Sequence, residues 1–186
     1  MLLTRSIATW PANVVVSGLM VIERPALLDF AHLAQECFLK QHWPRKQLLV
    51  FNATDRPLNR WPKRSVREIR LRRQSKAAML NLLRENADGE WCVLWDADCW
   101  YDPTVLDYHM KAAERETAVL FRHTTAYSLT DKKAFVISDD RVLHGSFLRL
   151  AKLDFERPFY RQTPRLKLVD APAGLVIKFV NKIVYE

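Results

Sequence analysis

The chain of 186 residues is 49% hydrophobic and 27% charged, the balance of a folded protein, and at roughly 100–200 residues per domain it reads as one domain over 1–186. Four glycines and nine prolines are too few for a fibrous or low-complexity protein. Twenty-nine Lys and Arg against 21 Asp and Glu give a formal charge of +8, which favours an acidic partner: a nucleotide, a nucleic acid or an anionic membrane surface.

No stretch approaches the ~20 apolar residues of a membrane-spanning helix. Ala12–Ile22 is too short and holds Asn13 and Ser17. The N-terminus has one arginine, Arg5, a broken apolar region and no small-x-small cleavage site. Secretion is therefore not expected, and the expected location is the cytoplasm. Cys37, Cys92 and Cys99 are odd in number and form no C-x-x-C. Neither a disulfide framework nor a zinc site is expected, and a reducing compartment is the default.

In chain order, Val14–Met20 is a β-branched apolar run that reads as a buried strand, stopped by Arg24-Pro25. Ala26–Gln41 has helical spacing, with Leu27, Ala31, Ala34 and Phe38 on one face and Pro25 suited to its start. His42-Trp43-Pro44 ends it. Gln47–Phe51 reads as a second buried strand. Lys76–Asn86 reads as a helix closed by Asp88-Gly89. Trp91–Trp95 reads as a third strand, and Asp102-Pro103 as the cap and first turn of a helix running to about Glu116. This alternation predicts an α/β fold with a mostly parallel central sheet flanked by helices. Beyond it, Ala118–Arg122, Ala134–Ser138 and Leu175–Val180 read as strands and Thr125–Lys133 as a turn. The second half is expected to complete the same sheet and to build one wall of a cleft.

The most informative stretch is Trp91–Pro103, W-C-V-L-W-D-A-D-C-W-Y-D-P. A buried strand runs directly into Asp96-Ala97-Asp98. In open α/β sheets ligands bind beyond the carboxyl ends of the strands. Two carboxylates one residue apart at that point can hold one hard cation, Mg2+ or Mn2+, together with substrate phosphates. The plainer reading is an acidic turn that caps the following helix.

These residues, with three upstream segments, resemble the GT-A fold glycosyltransferases, and among them family 2. Glu23-Arg24-Pro25-Ala26-Leu27-Leu28 matches the turn and helix after the first strand. Gln47–Asn52 matches the second strand, Lys76-Ala77-Ala78-Met79-Leu80-Asn81 stands in the place of the family's polar helix with an A-x-N, and Asp88-Gly89-Glu90-Trp91 leads into the D-x-D. The match runs over about residues 13–115, the half that would bind the sugar nucleotide; about 116–186 would face the acceptor. The resemblance implies transfer of a sugar from a nucleoside-diphosphate sugar, most often a UDP-sugar, with Mn2+ or Mg2+. It places Glu23, Arg24, Asn52, Lys76 and Asp96 around the nucleotide, Asn52 standing where the family often has an aspartate. It places Asp98, with Asp96, on the metal. Gly145–Arg149 and Leu153–Arg157 resemble later family segments. Asp170 is the nearest positional candidate for the base, with Asp139, Asp140 and Glu156 as alternatives. His144 is a candidate late metal ligand or a structural histidine. Cys99 reads as a packed residue.

Residues 56–76 hold nine cations, among them Arg60, Lys63, Arg64, Arg67, Arg70, Arg72, Arg73 and Lys76, against one acid, Glu68. The plain reading is a solvated connection. The surplus over what a diphosphate needs suggests an acidic acceptor held by salt-sensitive phosphate contacts, with Trp61 able to stack on a base. Small size and a basic cleft resemble the minimal bacteriophage glycosyltransferases that decorate modified DNA bases, which would work in the host cytoplasm. The alternatives are an enzyme of cell-surface polysaccharide synthesis with a lipid-linked acceptor, and a non-catalytic nucleic-acid binding module on a transferase fold. A nucleotidyltransferase would be expected to carry a glycine-rich loop, and Gly18 alone stands near the first strand.

Overall fold

The computed structural model describes residues 14–58, 65–113, 118–138, 147–149, 154–156, 166–170 and 172–180. Strand β1 (Val16–Ile22) is buried at every position, as a strand covered on both faces must be. After an extended Arg24, a 3-10 turn at Pro25–Leu27 feeds α1 (Leu28–Leu39). Next come β2 (Lys46–Asn52), β3 (Val66–Arg70), α2 (Lys76–Glu85), β4 (Trp91–Leu94), β5 (Cys99–Tyr101) and α3 (Val105–Ala113). The described residues beyond α3 hold strands β6 (Ala118–Phe121), β7 (His123–Ser128), β8 (Lys133–Ser138), β9 (Phe147–Arg149), β10 (Leu166–Val169) and β11 (Val176–Val180).

Two sheets result. The larger has the order β10-β6-β9-β4-β1-β2-β3, and the smaller β5-β11-β7-β8. In the larger sheet β9 alone runs antiparallel to its neighbours; the other pairings are parallel. The two faces of β1 alternate with the strand period of two. Val16, Met20 and Ile22 pack with Ala31, Ala34 and Phe38 of α1 and with Val105, Leu106 and Met110 of α3. Leu19 and Val21 pack with Met79, Leu80 and Leu83 of α2. The larger sheet is thus the middle of a three-layer sandwich. Gly18 lets α1 approach: a Cβ there would lie 2.6 Å from the buried Phe38 ring and 2.9 Å from Leu48 Cδ1.

The mostly parallel sheet agrees with the sequence reading, but the second half does not simply complete it. Among the described strands of that half, β6, β9 and β10 join the larger sheet and β7, β8 and β11 the smaller. Thr125–Ser128, expected in a turn, belong to β7, and the reversal falls at 129–132, where Lys132 has φ 53°. α3 starts at Val105 rather than Pro103. The Asp102 carboxylate folds onto Thr104, accepting from its N–H (2.9 Å) and its hydroxyl (2.6 Å), so the chain turns once before the helix begins. β3 lies inside the basic window expected to be a connection. It is the edge strand beside β2, where Arg67 and Arg70 face solvent. Among the described residues no helix is long and apolar enough to cross a membrane.

Candidate active site

β1 and β4 run parallel side by side, with Leu19 opposite Leu94 and the Trp95 N–H donating to Leu19 O at 3.0 Å. Their carboxyl ends therefore open at one place. Glu23 and Arg24 leave β1 there, and Asp96-Ala97-Asp98 leave β4. A cleft of about 310 Å³ forms, lined by these residues with Val21, Leu27, Arg73, Lys76 and Lys178.

The D-x-D lies in a tight turn closed by the Cys99 N–H on Asp96 O (3.3 Å). Beneath it Trp95 and Tyr101 stack, ring centroids 3.6 Å apart. The Tyr101 hydroxyl accepts the Asp96 N–H at 2.6 Å, and Trp95 Nε1 donates to Ala34 O at 2.8 Å. Burial pushes the Tyr101 phenol well up, so it stays protonated. Burial, then the charges of Asp96 and Asp98, does the same to the Cys99 thiol. Cys99 is a packed residue that remains a neutral thiol.

Each aspartate faces a lysine. Lys76 Nζ lies 3.4 Å from Asp96 Oδ1, and Lys178 Nζ lies 3.7 Å from Asp98 Oδ2. Lys76 opens α2 directly after the Ser75 cap, whose hydroxyl accepts the Ala78 N–H at 3.1 Å. A cation at the positive end of a helix costs about 0.3–1 kcal/mol. The Asp96 carboxylate opposes that cost and raises the Lys76 ammonium above the ordinary lysine range. Lys76 is therefore cationic at neutral pH. Arg73 reaches Glu23 at 3.8 Å on the same rim.

The structure brings together Glu23, Arg24, Lys76, Asp96 and Asp98, and adds Arg73, which the sequence reading assigned to the acceptor. It does not bring in Asn52. That side chain is fully buried; its amide donates to Arg56 O (2.8 Å) and Glu68 Oε1 (2.6 Å), and its oxygen accepts from Thr54. Every polar atom of Asn52 thus ties down the loop after β2, and it is not among the residues lining the cleft. Asp170 also lies outside the cleft lining. Its side chain is 76% exposed, 3.7 Å from Arg122 Nε and 3.9 Å from His123 Nε2, so it latches the end of β10 to the β6–β7 link. Arg67, Arg70 and Arg72 are exposed beyond the cleft. Arg60, Trp61, Lys63, Arg64, Asp139, Asp140 and His144 lie outside the described residues.

Two contributors escaped the sequence reading, and a third, Asn81, stood in it only as part of a matched helix. Lys178 is the lone charge in the apolar strand V-I-K-F-V, and that interruption was the available signal. Gln41 spans from α1 to the D-x-D segment, donating to Asp102 O (2.7 Å) and accepting the Leu106 N–H (3.1 Å). Asn81, the last residue of the matched Lys76–Asn81 segment, donates to Asp154 Oδ1 and accepts the Phe155 N–H, both at 2.9 Å. It fixes the Asp154–Glu156 turn to α2.

The same architecture occurs in solved structures. S. aureus TarS (1–349) superposes with a TM-score of 0.62 at 11% identity, over 89% of this chain and 60% of that one. Its complex with UDP-GlcNAc gives 0.63 at 10% identity, over 92% and 60%. The mannosyltransferase PcManGT from Pyrobaculum calidifontis, in complex with GDP-Man and Mn2+, gives 0.61 at 14% identity, over 96% and 61%. The chain thus spans about three fifths of the length of these structures, and at such identities the likeness concerns the fold. A search of curated proteins returned no significant match.

The fold is that of the GT-A glycosyltransferases. The family model for Glycosyl transferase family 2 matches residues 52–169, more than half of the chain and all of the D-x-D segment. The chain belongs to glycosyl transferase family 2.

Proposed function

We propose that this chain transfers a sugar from a nucleoside-diphosphate sugar to an acceptor, with the diphosphate held in the cleft at the ends of β1 and β4. The observation that carries this is the convergence of Asp96, Asp98, Lys76, Lys178, Arg73 and Arg24 on one cleft of about 310 Å³. Support comes from family membership and from two structural neighbours solved with UDP-GlcNAc and with GDP-Man and Mn2+.

The residues fit a divalent cation. Asp96 and Asp98 are hard oxygen donors on one turn. Among the described residues no cluster of three or more His, Cys, Asp or Glu converges, so phosphate oxygens and water would complete the shell, as Mn2+ and Mg2+ readily accept. Asp98 would hold the cation. Asp96, paired to Lys76, would share it or orient the donor sugar. When bound, the cation supplies Lewis-acid neutralisation of the leaving diphosphate. Lys76 and Arg73 add charge-assisted hydrogen bonds to the same oxygens. The Trp95–Tyr101 stack keeps the turn in place while charge builds on the leaving group.

For the acceptor we favour an anionic polymer, with DNA the first to test. Glu68, the one acid between Arg56 and Lys76, points inward: its Oε1 accepts from Asn52 Nδ2 (2.6 Å) and the Leu58 N–H (3.0 Å). The edge strand and the segment after it therefore expose Arg67, Arg70 and Arg72 while Glu68 is taken up by Asn52 and the Leu58 N–H, and phosphate binding there would weaken steeply with salt.

The test is a thermal-shift and turnover panel of UDP- and GDP-sugars, with and without Mn2+, on wild type and Asp98→Ala. A ligand at a hundredfold excess over Kd stabilises by about 2.7 kcal/mol, a shift of several degrees. A Mn2+-dependent shift and donor consumption, both lost in Asp98→Ala, are expected. A wild type that never consumes a donor but binds DNA as well as Asp98→Ala does would establish the binding-module alternative.

A further inference from the structure

The lysine that meets the D-x-D comes from the far end of the chain, and its position is tightly set. β11 pairs antiparallel with β5, Lys178 opposite Cys99. The next residue, Phe179, donates its N–H to Asp98 O at 2.9 Å and packs its ring 5.7 Å from Phe30. The Lys178 side chain is 20% exposed and lines the cleft. An ammonium so withdrawn from water needs a counter-charge, and Asp98 supplies one at 3.7 Å.

We infer that Lys178 is a counterion shared between Asp98 and the donor diphosphate. This rests on the donor-site reading above. A divalent cation seated on Asp98 removes the negative charge that holds Lys178 and repels its ammonium. The strand fixes the backbone, so only the flexible side-chain stem can move, and a diphosphate seated on the same cation would receive it in the cleft that Lys178 and Asp98 both line. Lys178 therefore opposes cation binding when no nucleotide is present and strengthens nucleotide binding once the cation is in place. Cation and nucleotide binding are coupled through one side chain, and such coupling is reciprocal.

The test uses the intact protein and two probes, Mn2+ and UDP, with GDP as a second nucleotide. Free Mn2+ is followed by its EPR signal, and nucleotide binding by calorimetry in saturating Mn2+. In Lys178→Met, Mn2+ alone should bind about tenfold tighter and the nucleotide about tenfold weaker, an effect between that of a close charge pair in bulk water and one near a protein surface. Lys178→Arg should stay near wild type in both. Lys178→Gln repeats the test without the charge should the methionine variant fail to fold. The opposite signs are the signature, since a merely structural role would weaken both. A wild type that binds Mn2+ and nucleotide, with charge-removing variants that match it or lose both together, overturns the role of Lys178 and leaves the donor site standing. A wild type that binds neither overturns both readings.

Discussion

The two sheets differ in how deeply they are covered. All seven positions of β1 in the larger sheet are buried, whereas in β8 of the smaller sheet Val136 is 64% exposed. The larger sheet has helices on both faces and carries the D-x-D at its carboxyl edge. The smaller sheet receives β5 directly after that motif and returns Lys178 to it. The larger sheet thus sets where the aspartates stand, and the smaller one brings Lys178 to Asp98. A site at such a junction combines a rigid base with a partner that can respond to ligand.

The largest effect should come at the junction. Asp98→Ala is expected to lower donor turnover by at least about 10²-fold in kcat/KM, the size of losing one key electrostatic contact, while Asp170→Ala should stay within a few fold. Equal losses in a donor-hydrolysis assay would mean that the cleft alone does not define the site. Within the larger sheet, Gly18→Ala should cost about 1–3 kcal/mol through overpacking against Phe38, read as a lower urea midpoint at unchanged m-value. Tyr101→Phe should cost about 1–3 kcal/mol by leaving the Asp96 N–H without its acceptor, and should slow turnover because the D-x-D turn loosens. In the smaller sheet, Val136→Thr should fall within about 0.5 kcal/mol, as exposed substitutions do. A cost equal to that of Gly18→Ala would erase the contrast between the sheets, and hydrogen exchange faster in β8 than in β1 would sharpen it.

The smallest effect concerns the turn before α3. Hydrogen bonds from Thr104 lower the Asp102 carboxyl pKa below its ordinary value. A lowered pKa stabilises the fold above the unfolded value and is lost as pH falls through the folded one. The stability difference between wild type and Asp102→Ala should therefore hold at neutral pH and shrink as the pH drops below about 4. A difference that grows with acid would show that the carboxylate is not what holds the turn.

Much of the larger sheet was legible in the chain. β1, β2, α1 and α2 are long enough for their apolar spacing to identify them, β4 is only four residues long but lies in the unbroken apolar run Trp91–Trp95, and the D-x-D directly after it marked the site. β3 was hidden because an edge strand tolerates charge, so Arg67 and Arg70 masked it. β5, β9 and β10 are three or four residues long, too short to show a period. Asn52 carried the right position for a nucleotide contact, yet its amide is taken up by Glu68 and the loop after β2. Asp170 had the right order in the chain, yet its neighbours are Arg122 and His123.

The sequence by itself determined the α/β class, the buried strands and the pair of carboxylates, because each follows from residues a few positions apart, where the strand and helix periods operate. The tertiary structure alone decided the partition into two sheets and which cation meets which aspartate. Those outcomes depend on β11 pairing with β5 and on the start of α2 reaching the turn after β4. Contacts between segments so far apart in the chain leave no periodic trace: the register of two strands is set by the packing of both, and no short stretch of either contains it.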